Sequence, residues 1–95
     1  MSLSVWFVLT PNVLLLDYAG PAEALRMAAE LASEAPDGEG NAAILLHSCA
    51  PVARLRTSLG VGLGELEALP ARLPPQSLVI VTGNIDLSVG KLAGF

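Results

Sequence analysis

Two short polar clusters carry the residues best suited to chemistry in this sequence. One is Asp17-Tyr18-Ala19-Gly20-Pro21 with Glu23; the other is Thr82-Gly83-Asn84. Each follows an apolar run: Val5 to Leu9 and Val13 to Leu16 precede the first, and Leu78 to Val81 precedes the second. A carboxylate held near a helix N-terminus can position or deprotonate a neighbour. Backbone N–H groups at Gly83 and Asn84 could stabilise a developing oxyanion. Asp17, Gly20, Glu23, Gly83 and Asn84 are therefore the candidate ligand-binding residues. Each also has a plain structural reading: Asp17 as a turn former, Glu23 as a first-turn residue favoured by the helix dipole, and Gly83-Asn84 as a turn.

The other reactive side chains read as structural. His47 and Cys49 lie at the end of an apolar run, where a small cysteine packs more often than it attacks. Arg54 and Arg56 share one face of a ribbon and could meet an anion, although two exposed arginines are usually just solvated. Gly60-Val61-Gly62-Leu63-Gly64 has the wrong spacing for the G-x-G-x-x-G dinucleotide fingerprint. A single cysteine gives neither a disulfide framework nor metal-ligand spacing. No metal and no cofactor are expected.

The elements that must position these residues follow from pattern. Val5 to Leu9 is a short unbroken apolar run, as in a strand buried on both faces of a parallel sheet. Pro11-Asn12 makes a turn. A helix is predicted to start at Pro21, with Glu23 in its first turn. Leu25, Ala28, Leu31, Ala32 and Ala35 form its apolar stripe; Glu23, Arg26, Glu30 and Ser33 form its wet side. Pro36 ends it. The loop Asp37 to Asn41 leads to a second buried strand over Ala42 to His47, completing a βαβ unit. Alternation over Val52 to Leu63 suggests an exposed hairpin or edge ribbon. Glu65 to Leu73 could hold a turn of helix, and Leu78 to Val81 reads as the cleanest buried strand. In such an open parallel sheet, ligands bind outside the carboxyl ends of the strands, where both polar clusters fall.

Composition sets the bounds. The chain has 95 residues, 53% of them hydrophobic, and a mean hydropathy of +0.60. That is more apolar surface than so small a body can hide, so a further stretch of chain or a partner subunit is expected to cover the excess. The run Ile85 to Phe95 completes no third crossover, and the sequence reads as an incomplete domain whose residues alone should associate. A net charge of −4 argues against this stretch gripping a phosphate backbone. No basic leader precedes the first apolar runs, and no run approaches the roughly 18 residues of a membrane span. Cytoplasmic localisation without membrane attachment is the expectation.

The stretch Phe7 to Leu25, a strand, a Pro and a hydrophobic segment ending in Leu16-Asp17-Tyr18-Ala19-Gly20-Pro21, resembles the opening of the ThiJ/PfpI superfamily of class I glutamine amidotransferase-like domains. It is similar above all to isocyanide hydratases and the N-terminal domains of AraC-type transcriptional regulators. Ser58-Leu59-Gly60 resembles the Ser-x-Gly ribbon of that family, and Leu78 to Gly83 its Pro-Gly-Gly strand end. The resemblance covers nearly the whole chain. It implies an α/β fold, a flavodoxin-like parallel sheet with flanking helices, of which residues 1–95 would be only the N-terminal half. In hydratase-like members the residue matching Asp17 is catalytic and works with an elbow cysteine, which would lie beyond Phe95; Cys49 does not match it. The first Gly of Pro-Gly-Gly helps form an oxyanion pocket, but here Thr82 replaces the Pro and Asn84 the second Gly, which weakens the enzyme reading.

Three functions follow. The resemblance implies first an effector-sensing, oligomerising domain of an AraC-type regulator. Its partners would be a small molecule, further copies of the chain, and DNA reached only through a C-terminal helix-turn-helix region absent here. The second is a cysteine-dependent hydrolase or isocyanide-hydratase-like enzyme, with Asp17 catalytic. The third is a domain that has lost its chemistry and only pairs subunits.

Overall fold

The structure is a computed structural model and describes residues 2–34 and 43–85. Its elements are β1 (Ser2–Val8), α1 (Leu15–Ser33), β2 (Ala43–Cys49), β3 (Leu55–Arg56), β4 (Gly62–Leu63) and β5 (Ser77–Val81). The apolar run after Ser4 becomes the central strand of a three-stranded sheet in the order β2-β1-β5. Both neighbours run parallel to it: Val5 pairs with Leu46 on one side and Leu78 on the other, and Phe7 pairs with Ser48 and Ile80. The expected α/β architecture on a parallel sheet is therefore present.

Alternation along β1 sends Val5 and Phe7 to the side covered by α1. They are fully buried with Leu9 and Val13, and Tyr18, Ala22 and Leu25 of the helix pack against them with Ile44, Leu46 and Ile80. The Tyr18 ring meets Phe7 edge-on, with centroids 5.7 Å apart at 79°.

The helix differs from its sequence-based bounds. It begins at Leu15, and Pro21 lies inside it, so Asp17 rather than Glu23 is the acidic residue of its first turn. The reason is a long-range anchor. Leu14 is held extended by donating its N–H to the Gly83 carbonyl at 2.9 Å, and its own carbonyl takes the Asp17 N–H at 3.0 Å. That seeds a turn well before the proline. Pro21 then deprives the Asp17 carbonyl of its helical donor, a fault of about 3 kcal/mol in an unsupported helix, and the packing of Tyr18, Ala22 and Leu25 offsets it. The inward stripe is correspondingly rotated: Leu25, Ala28 and Ala32 are partly covered as expected, but Leu31 is 68% exposed. Ala35, Pro36, the loop 37–41 and Ala42 lie outside the described residues.

The strands at the edges are less buried than expected. β2 runs to Cys49 and is largely half-covered, and in β5 Leu78, Val79 and Val81 are exposed among the described residues. The expected ribbon is there, with β3 antiparallel to β4 and Gly60 in a left-handed turn at φ 81°. Glu65 to Leu73 forms no helix. Glu67 instead extends the β2 end, its N–H donating to Ser48 and its carbonyl accepting from Ala50, both at 3.0 Å. Pro70 is a further obstacle to helix there.

Candidate functional site

Because β2 and β5 flank β1 on opposite sides, the chain direction reverses across the sheet at the β1/β5 junction. Such a switch point opens a crevice at the carboxyl ends of the strands. The residues that follow β1 and β5 meet at this position. Thr82 doubles back onto β1, with both its N–H and its hydroxyl donating to the Val8 carbonyl, at 3.2 and 3.1 Å. Asn84 Nδ2 donates to Thr10 Oγ1 at 3.1 Å, and Ile85 N–H donates to the Asn12 carbonyl at 3.3 Å. Asn84 also bridges Val13. Asn12 takes a left-handed conformation, φ 62°, which asparagine tolerates better than most residues. These ties stitch the end of β5 to the loop between β1 and α1.

Asp17 sits on top of this junction. Its carboxylate lies so close to Gly83 that a Cβ added there would stand 2.7 Å from Oδ2 and 3.7 Å from a Leu14 methyl. Gly83 is needed for want of a side chain, not for unusual backbone angles, since its φ is not in the left-handed range. The Gly83 carbonyl is committed to Leu14, whereas no acceptor among the described residues takes its N–H. Asp17 and Gly83 are both exposed, so the carboxylate faces water above the β1/β5 junction.

Of the predicted site residues, the fold thus brings Asp17, Gly83 and Asn84 together. Gly20 lies a turn further along α1 and is exposed, with the Leu16 side chain nearest its bare Cα. Glu23 is engaged elsewhere: Arg26 Nε reaches its Oε1 at 3.0 Å and the same guanidinium reaches Glu30 at 3.6 Å, a solvated ladder along the helix. Thr10 was not among the predicted residues, yet it is 5% exposed and receives Asn84. Its position, directly after the apolar run and before Pro11, marks it as a strand-end residue.

The remaining reactive groups are closed off. Cys49 is fully buried and its thiol donates to the Phe7 carbonyl at 3.5 Å. Burial first, and the nearby Glu67 second, push it above the ordinary 9.0, so at neutral pH it is a protonated thiol and a poor nucleophile. His47 Nδ1 lies 3.2 Å from both Glu67 carboxylate oxygens, and its ring stacks on Trp6 at 3.8 Å and 9°. Trp6 Nε1 is buried with no partner among the described residues. Tyr18 and Ser48 share a 2.7 Å hydroxyl–hydroxyl bond beneath the helix. No group of three or more metal-ligating side chains occurs among the described residues, and no described helix is long and apolar enough to cross a membrane.

Chemically, the β1/β5 junction offers an exposed carboxylate, a backbone N–H unengaged among the described residues and a side-chain amide held by a threonine. This set can orient and recognise a small polar molecule. No known protein family matches the chain, and neither the curated proteins nor the solved structures contain a significant match.

Proposed function

We propose that the chain is the N-terminal part of a flavodoxin-like, ThiJ/PfpI-like domain whose β1/β5 crevice senses a small-molecule effector for an AraC-type transcriptional regulator. The observation that carries this reading is the Asp17 carboxylate resting on Gly83 at the switch point, where the family resemblance expects the ligand. In this reading Asp17 accepts a hydrogen bond from the effector, Gly83 admits it by having no side chain, and Asn84 holds the floor through Thr10. The domain pairs with further copies of itself in the cytoplasm and meets DNA only through a helix-turn-helix region outside this chain.

A cysteine-dependent hydrolase or hydratase is the second reading, favoured by one feature: the Gly83 N–H has no acceptor among the described residues and could face an oxyanion. The encoding gene beyond Phe95 separates the two. Two basic helix-turn-helix units support the regulator, and a strand-to-helix cysteine without them supports the enzyme. On the protein, a metabolite screen by thermal shift should yield a ligand whose stabilisation is lost in Asp17→Asn. A ligand that stabilises wild type and variant equally would overturn the assignment of Asp17.

A further inference from the structure

A concavity lies on the β3–β4 ribbon, a groove of about 530 Å³ lined by Arg54 to Arg56, Leu55 included, and by Gly62 to Glu65. Leu55 points into the core and is 8% exposed, so alternation turns Arg54 and Arg56 outward on the same side, about 7 Å apart along the strand. Opposite them the ribbon is bare. Gly62 pairs with Arg56, and a Cβ added to it would meet nothing within 4 Å; a Cβ on Gly64 would touch only the Arg54 stem, at 3.9 Å. The groove therefore sets the Arg54 and Arg56 side chains beside a stretch of backbone that glycine leaves bare.

Two like charges on one side of so short a ribbon repel each other and favour a counter-charge. Among the described residues the ion pairs belong to Arg26 and His47, and Glu65, though it lines the groove, pairs with neither arginine. In a chain of net charge −4 this is a local excess of positive charge with room for a ligand. Two planar forks match the oxygens of a dianion bidentately. The volume falls in the range of small-molecule pockets, roughly 300–1,000 Å³, and exceeds what a bare ion needs.

We propose that this groove binds a small organic phosphate monoester, with Arg54 and Arg56 clamping the phosphate beside the Gly62–Gly64 backbone. The site is separate from the crevice but one loop away. The Arg56 carbonyl accepts the Asn12 N–H at 2.9 Å, and the Asn12 carbonyl accepts from Ile85, beside Gly83 and Asn84. The inference stands whether or not the crevice senses an effector.

The test is a titration of the intact protein with inorganic phosphate, followed by ¹H–¹⁵N spectra, with chloride and succinate at matched ionic strength in parallel. Phosphate should give saturable shifts at the Arg54 and Arg56 Nε–H groups and at the Gly62 and Gly64 amides. R54Q/R56Q should weaken binding about tenfold or more, as expected for lost charge-assisted hydrogen bonds. Gly62→Val, which projects into open space and leaves the fold intact, should weaken it as well by covering that bare backbone. Asp17→Asn should leave it unchanged, which separates this site from the crevice. Shifts that chloride reproduces, that persist in R54Q/R56Q, or that succinate gives while phosphate does not would overturn the proposal.

Discussion

Asp17 and Glu67 each bring a carboxylate to the carboxyl end of a parallel strand, yet their surroundings differ in what they leave available. Glu67 is consumed: its side chain holds His47, its backbone extends β2, and the imidazole is stacked on Trp6. Asp17 keeps its carboxylate over a bare glycine at the point where the sheet reverses, and the neighbouring hydrogen bonds fix the floor without engaging it. A carboxylate, a histidine and a cysteine near one another look more like an active site in a sequence than a lone aspartate does. Placement and availability, not residue type, make the aspartate the better candidate.

The sharpest way to break this contrast is at Gly83. Gly83→Ala places a methyl against the Asp17 carboxylate, the exposed end of a side chain that can turn aside, and should cost at most about 1 kcal/mol by thermal or urea denaturation. Adding Asp17→Ala should restore most of that loss. If the double variant is no more stable than Gly83→Ala alone, the two residues are not in contact.

A pH titration probes the closed cluster. Because the folded state holds the Cys49 thiol above its ordinary value, the folded protein keeps this proton longer than the unfolded chain does. The contribution of Cys49 to stability is thus intact below the unfolded thiol's pKa and is lost as pH rises through the folded one. Cys49→Ala should flatten that alkaline fall, and an unchanged profile would remove Cys49 from the account. The smallest effect is expected for Glu67→Gln. Its carboxylate is half exposed, and the variant should change stability at neutral pH by less than about 0.5 kcal/mol. A loss comparable to that of Gly83→Ala would mean that the Glu67 cluster, too, is finely built.

Much of the frame could be read from residue order alone. The unbroken run Val5 to Leu9 marked a buried strand, the alternation over Val52 to Leu63 suggested the ribbon, and strand-end logic led to Asp17, Gly83 and Asn84, though also to Gly20 and Glu23, which the fold leaves apart. What escaped was whatever depended on contacts distant in sequence. The start of α1 rests on Leu14 meeting Gly83, so the local proline rule placed it too late. The extended course at Glu67 is imposed by Ser48 and Ala50, which no periodicity around Leu66 reveals. The coverage of β2 and β5 depends on what packs beside them, and an apolar run does not encode whether that happens.

Trp6 has a further consequence. It is the sole tryptophan, and since Phe7 faces α1, the indole belongs to the opposite face of the sheet, with its N–H buried and unanswered among the described residues. All tryptophan fluorescence of the chain therefore issues from one ring at the middle of that face, in contact with His47. Any rearrangement of the residues packed around that ring would announce itself in the emission spectrum, so the protein carries its own optical gauge of how that face is packed.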